Sequence, residues 1–227
     1  MSIHNGNTNE NGYLVIDPTN ERYRYQKIKE PLKFILQCVY LSLVFFPLLF
    51  LSAIKTLIAR ERSLKGQTVL VTGGAHGLGK ELCFKFASLG CSIACVDIND
   101  KGSRETVIAI KERYPGVEAH SYHCDVRSKH EIRILHEHVK RDFQHLDILV
   151  HNAGDVTSAY LIDFEDKFLD NMIDLNLKSH FLIYREFLPE MIKRNKGHIV
   201  AIASLASVYS EMNFSIYTAT KHGVLGR

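Results

Sequence analysis

A chain of 227 residues that is 46% hydrophobic and 23% charged has enough apolar sequence for one ordinary domain plus a short appendage, which excludes a wholly disordered protein. The net charge of +3 at pH 7 is too small to define a partner, and the absence of arginine-rich or aromatic-basic tracts argues against nucleic acid. Cys38, Cys83, Cys91, Cys95 and Cys124 form no CxxC pair; the last four fall where buried elements are expected, so they read as reduced thiols in a compartment of cytosolic redox poise.

Residues 1–33 read as a polar tail followed by a basic flank, and the opening NGNTNENG has nothing to bury. Residues 34–54, FILQCVYLSLVFFPLLFLSAI, carry no charge. At about 1.5 Å per helical residue they match the ~30 Å of a bilayer core, so a membrane segment is expected here. Both sides are basic, with Lys29 and Lys33 before the run and Lys55 and Arg60 after it, so charge sets no orientation. The late start argues against a cleaved secretory signal. Pro47 allows a kink or a re-entrant hairpin, and a buried core helix is the competing interpretation.

A basic linker at 55–65 leads to a domain spanning 66–227, where short apolar runs alternate with helical patterns. Strands are expected at Thr68–Thr72, Ser92–Asp97, Glu118–Cys124, Leu146–His151 and His198–Ala203. Leu78, Leu82, Phe86 and Leu89 mark one helical face, and Ile132, Leu135, Val139 and Phe143 another. One or two further helices are expected between Glu165 and Arg194, where Pro189 permits a bend. The alternation predicts an α/β fold, a Rossmann-like doubly wound parallel sheet covered on both sides.

The segment TGGAHGLGK, Thr72 to Lys80, follows the first strand and opens the first helix, the context a phosphate-binding loop needs. Thr72, Gly73, His76, Gly77, Leu78 and Gly79 are therefore candidate cofactor contacts, with the helix N-terminus supplying donors to a pyrophosphate. No Gly-Lys-Ser/Thr follows, which disfavours ATP or GTP hydrolysis. Asp97 ends the second strand, where a carboxylate accepts ribose hydroxyls and repels a 2′-phosphate; NAD is expected rather than NADP. Asp125 and Val126 end the third strand and would face the adenine edge.

With these motifs in place, the chain from Leu64 to Arg227 resembles the short-chain dehydrogenase/reductase family. The glycine pattern resembles the family's cofactor loop. HNAG, His151 to Gly154, resembles its Asn-Asn-Ala-Gly element, which implies cofactor-side roles for Asn152, Ala153 and Gly154; His151 departs from the first Asn and puts local backbone support in doubt. Asn176, in DLNLKSH, resembles the helix Asn that holds a proton-relay water. Ser204, Tyr217 and Lys221 match the family's Ser and Tyr-x-x-x-Lys.

A free phenol, with a pKa near ~10, is a poor base at neutral pH and needs a cation beside it. Tyr217 and Lys221, four apart on a helix, share a face, and the lysine would also reach the nicotinamide ribose. Ser204 would steady charge developing on the substrate oxygen. The implied reaction is hydride transfer between a carbinol and the nicotinamide, with Tyr217 exchanging the hydroxyl proton.

The apolar anchor, the basic linker and Asp97 are similar to the membrane-associated group containing retinol and 17-beta-hydroxysteroid dehydrogenases. That resemblance implies a lipophilic alcohol or carbonyl substrate, and residence at the endoplasmic reticulum membrane or lipid droplets with the catalytic domain in the cytosol. The family's usual helix-helix dimer surface makes a homodimer an expectation, and a shortened chain could instead pair with a full-length homologue. A full dinucleotide-binding sheet has about six strands, and five are counted here. The expectation is therefore a C-terminally truncated chain with weak or no turnover of its own, a non-catalytic membrane interaction protein being the alternative.

Overall fold

The computed structural model describes residues 21–58, 63–210 and 212–226. It divides into two units, Met1–Arg62 and Ser63–Arg227. The proposed tail at 1–20 and part of the linker, 59–62, lie outside the described residues.

In the first unit one helix, α1, runs from Glu21 to Ile58. It passes through Pro31 and Pro47 without a break, so the hairpin that Pro47 allowed is not formed. Its segment Pro31–Ser52, 22 residues long, is long and apolar enough to cross a membrane. Phe34, Tyr40, Leu43 and Phe50 are each about two-thirds exposed, an apolar surface of the kind a bilayer would cover.

The second unit is built on a five-stranded parallel sheet in the order β3-β2-β1-β4-β5. Its strands are β1 (Thr68–Thr72), β2 (Ser92–Asp97), β3 (Ala119–His123), β4 (Ile148–His151) and β5 (His198–Ala201). Every residue of β1 and β4 is buried, which is why these strands read as unbroken apolar runs rather than alternating ones. β5 forms one edge and is only half-buried. The helices between the strands are α2 (Gly77–Ser88), α3 (Asp100–Arg113), α4 (Lys129–Phe143), α5 (Asp166–Ile173) and α6 (Ser179–Lys193), and α7 (Ser215–Leu225) follows β5.

Two apolar layers lie on opposite sides of the sheet. Leu70, Leu149, Ile132, Leu135, Val139, Ile183 and Phe187 join β1 and β4 to α4 and α6, and the face expected for α4 is the buried one. Val69, Val71, Cys83, Ala87, Val107 and Ile110 join the other side to α2 and α3. Here the expected α2 face is realised only in part. Gly79, Cys83 and Ala87 are buried, whereas Leu78 and Leu89 are exposed. Small side chains let this helix approach the sheet closely; Leu82 and Phe86 pack partly buried against this layer, while Leu78 and Leu89 are left at the rim. Between α5 and α6 the helix widens into a π turn, Asp174–Lys178, at which the buried Asn176 sits. An inserted residue of this kind re-aims one side chain without ending the helix.

Candidate active site

The C-terminal ends of β1, β2, β3 and β4 open onto a cavity of about 370 Å³ lined by Gly73, His76, Leu78, Gly79, Asp97 and Val126, among others. β1 delivers the chain into the loop at Thr72, and Gly73 turns there with φ 70°, a left-handed value that disfavours any side chain. A Cβ on Gly79 would stand 1.9 Å from the Gly73 carbonyl oxygen and 2.6 Å from Asn152 Nδ2, so only glycine lets the helix start this close to the loop. His76 caps α2 without a side-chain bond, and the first turn holds no acidic residue. The positive end of the helix dipole therefore faces the cavity uncompensated.

Asn152 binds this loop from the neighbouring strand. Its Nδ2 donates to Thr72 O (3.0 Å) and Gly73 O (3.3 Å), while the Asn152 and Ala153 amides both donate to Thr72 Oγ1 at 3.0 Å. The buried Asp97 carboxylate accepts from the Ala75 amide (2.9 Å) and the Asn99 amide (2.8 Å), which fixes its orientation in the cavity wall. Asp125 lines the same cavity, and its carboxylate accepts from the Arg127 backbone amide and guanidinium. The Arg127 hydrogen bonds hold its acidity below the usual carboxylate range. Arg127 also donates to Asn171 on α5 and lines the cavity. A dinucleotide fits this donor set: helix amides at one end, carboxylates at the other, and glycines where its backbone must approach.

A second, smaller cavity of about 180 Å³ is lined by Ser204, Leu205, Ala206, Tyr209, Phe214, Tyr217 and Thr218. Ser204 begins a single 3₁₀ turn, its Oγ accepting from the Ala206 amide at 3.1 Å, which leaves the hydroxyl proton for a ligand oxygen. Lys221, one turn after Tyr217, is 5% exposed and donates from Nζ to Ile202 O at 3.0 Å. Burial pushes its pKa below the ordinary lysine value. Its Nζ lies 5.8 Å from the centre of the Tyr217 ring. Asn176 is fully buried, accepting at Oδ1 from the Asp155 amide (2.9 Å) and donating from Nδ2 to Asp155 O (2.7 Å).

Gly154 joins the two halves. It lines the cofactor-sized cavity, and a Cβ there would lie 3.1 Å from Asn176 Oδ1 and 3.6 Å from Lys221 Nζ. The expected residues thus gather in two adjoining groups: Gly73, His76, Leu78, Gly79, Asp97, Asp125, Val126, Asn152, Ala153 and Gly154 around one cavity, and Ser204 and Tyr217 around the other. Lys221 and Asn176 stand between them. Thr72 and Gly77 flank the first cavity, Thr72 as an internal brace and Gly77 as the opening residue of α2. Sequence reasoning missed Val96, Ile98, Cys124, Arg127 and Leu175 in the wall. Arg127 carried a signal in its spacing, two residues after a strand-end aspartate. The doubt about His151 is corrected: its ring binds Thr72 Oγ1 at 2.8 Å, so the loop keeps its support.

The sequence model described as short chain dehydrogenase matches residues 67–226. Among curated proteins, the chain is 35% identical to the Bos taurus short-chain dehydrogenase/reductase family 16C member 6, over 74% of this chain and 52% of that protein. It is 34% identical to Mus musculus epidermal retinol dehydrogenase 2 (73% and 53%) and 33% identical to Mus musculus estradiol 17-beta-dehydrogenase 11 (86% and 65%). The chain spans between about half and two-thirds of these relatives' lengths. A solved NAD⁺-bound xylitol dehydrogenase superposes with a TM-score of 0.69 at 30% identity, covering 73% of this chain and 63% of that one.

Proposed function

Because the chain belongs to the short chain dehydrogenase family, and so descends from NAD(P)-dependent alcohol dehydrogenases and reductases, we propose that it serves an NAD-dependent interconversion of a lipophilic alcohol and its carbonyl. The observation that carries this reading is the meeting of Tyr217 and Ser204 on one small cavity, with Lys221 buried where that cavity adjoins the glycine-loop cavity. The nicotinamide group, when bound, supplies the hydride acceptor or donor. Tyr217 takes or returns the hydroxyl proton, and Ser204 donates to the same oxygen as charge develops on it. Lys221 provides the adjacent cation, and Asn176 links it toward solvent through water.

Asp97 favours NAD because its carboxylate, already oriented by two amides, accepts ribose hydroxyls and would repel a 2′-phosphate. The lipophilic substrate class rests on α1 together with the retinol and estradiol relatives. An alcohol partitioned into a bilayer is best met by an enzyme anchored there, at the endoplasmic reticulum or a lipid droplet with the catalytic unit in the cytosol. The test uses the full chain in detergent micelles with NAD⁺ and retinol, estradiol or xylitol. Tyr217→Phe should lower turnover on the order of 10²–10⁴-fold and leave NADH binding intact; full activity in that variant would refute the assigned role.

A further inference from the structure

The hydrogen bonds around His151 have a fixed direction. His151 ends β4 and is 1% exposed, with Nδ1 2.8 Å from Thr72 Oγ1 and Nε2 2.8 Å from Ser179 Oγ. Thr72 Oγ1 already accepts from the Asn152 and Ala153 amides, so its own proton is the one left for His151, and Nδ1 must be bare to receive it. At the other end Ser179 Oγ donates to Leu175 O at 2.5 Å, leaving its lone pair to accept Nε2–H. Both ends, argued separately, require the same neutral tautomer.

We infer that His151 is a positioning residue, neutral with its proton on Nε2, that couples the cofactor-side wall to the π turn carrying Asn176 through one directed chain of hydrogen bonds. The chain runs from the Asn152 and Ala153 amides through Thr72, His151 and Ser179 to the carbonyl of Leu175. Leu175 itself lines the larger cavity, and the next residue, Asn176, holds Asp155. His180 from α6 packs edge-on against the ring at 4.2 Å between centroids, and Tyr184 closes the same side. An asparagine here would be too short to reach Thr72 and Ser179 together. The histidine therefore ties two parts of the site that the shorter residue would leave independent. The functional consequence rests on the dehydrogenase reading, since it supposes that this wall holds a nicotinamide cofactor.

The test uses the full chain in detergent micelles, ¹⁵N-labelled at histidine, with the His151 ring assigned by comparison with His151→Asn. Near neutral pH the ring should show a protonated Nε2 and a bare Nδ1. Ser179→Ala should move the Nε2 resonance and leave Nδ1 nearly in place. His151→Ala should weaken NADH binding about tenfold or more, the scale of a lost buried hydrogen bond. His151→Asn, which can still accept from Thr72, should recover part of that loss. A proton on Nδ1, a cationic ring, an Nε2 signal indifferent to Ser179→Ala, or a folded His151→Ala protein that binds NADH like the unaltered chain would each overturn the inference. Failure of the unaltered chain to bind NADH would instead defeat the dehydrogenase reading, and the ring resonances would still decide the hydrogen-bond chain.

Discussion

Two buried aspartates stand at opposite ends of the same sheet and are wired in opposite ways. Asp97, 7% exposed at the C-terminal end of β2, accepts only from backbone amides, and among the described residues no cation lies within ion-pair distance of it. Asp147, 3% exposed just ahead of β4, accepts from the Thr68 amide and pairs with Arg194 at 3.3 Å and Lys196 at 3.0 Å. A compensated carboxylate staples strands together. An uncompensated one beside a cavity keeps its charge available for something that enters. The parallel sheet thus has one end arranged for ligand and one for cohesion, which follows the general rule that ligands meet open α/β sheets at the carboxyl ends of the strands.

The most severe way to probe the ligand end is Gly79→Ala. The added Cβ would meet the Gly73 carbonyl at 1.9 Å, a backbone atom that cannot yield without moving the loop. NADH binding should fall more than ~100-fold, with a destabilisation of about 3 kcal/mol from forced overpacking. Titrating NADH fluorescence alongside a thermal melt would check both parts. Unchanged binding would mean that the loop does not cradle the phosphates. A smaller effect is expected from Asp97→Ser, which removes the charge and leaves the fold. NADH affinity should drop ~10–100-fold, the scale of hydrogen bonds to a charged acceptor, and NADPH affinity should rise. An unaltered NADH to NADPH ratio would remove Asp97 from the selectivity argument.

The strand cores were legible because a doubly covered strand needs nearly every residue apolar, and Thr68–Thr72 and Ser92–Asp97 have the expected bounds. The glycine loop stood out by its place between a strand and a helix, and Tyr217 with Lys221 by their spacing of four, whereas Ser204 was picked out only by the family resemblance; the structure brings Ser204 and Tyr217 to one cavity. The buried face of α2 was legible only in part: Leu82 and Phe86 pack against the layer as expected, but hydrophobic periodicity favours large side chains, while close packing on the sheet selected Gly79, Cys83 and Ala87. The π turn at Asn176 has no periodicity of its own. Nor can a substitution such as His151 declare from sequence whether it breaks a network or completes one, since its partners Thr72 and Ser179 are 79 and 28 residues away.

The cohesive end should show itself in pH dependence. Burial pushes the Asp147 carboxyl up, but the bonds from Lys196, the Thr68 amide and Arg194 outweigh it and leave its pKa below the ordinary aspartate value. A carboxylate whose folded pKa is depressed contributes stability above its unfolded pKa and loses it as pH falls through the folded value. Asp147→Asn should therefore cost about 2 kcal/mol at neutral pH, less than a fully buried pair because Lys196 and, to a lesser extent, Arg194 can turn to water. The gap from the unaltered chain should narrow as pH drops from about 5 toward 2, while NADH affinity, read at the far end of the sheet, stays the same. A constant gap across that range would mean that the carboxylate's packing, and not its charge, holds β1 and β4 together; a coupled loss of NADH binding would mean that the two ends are not separable.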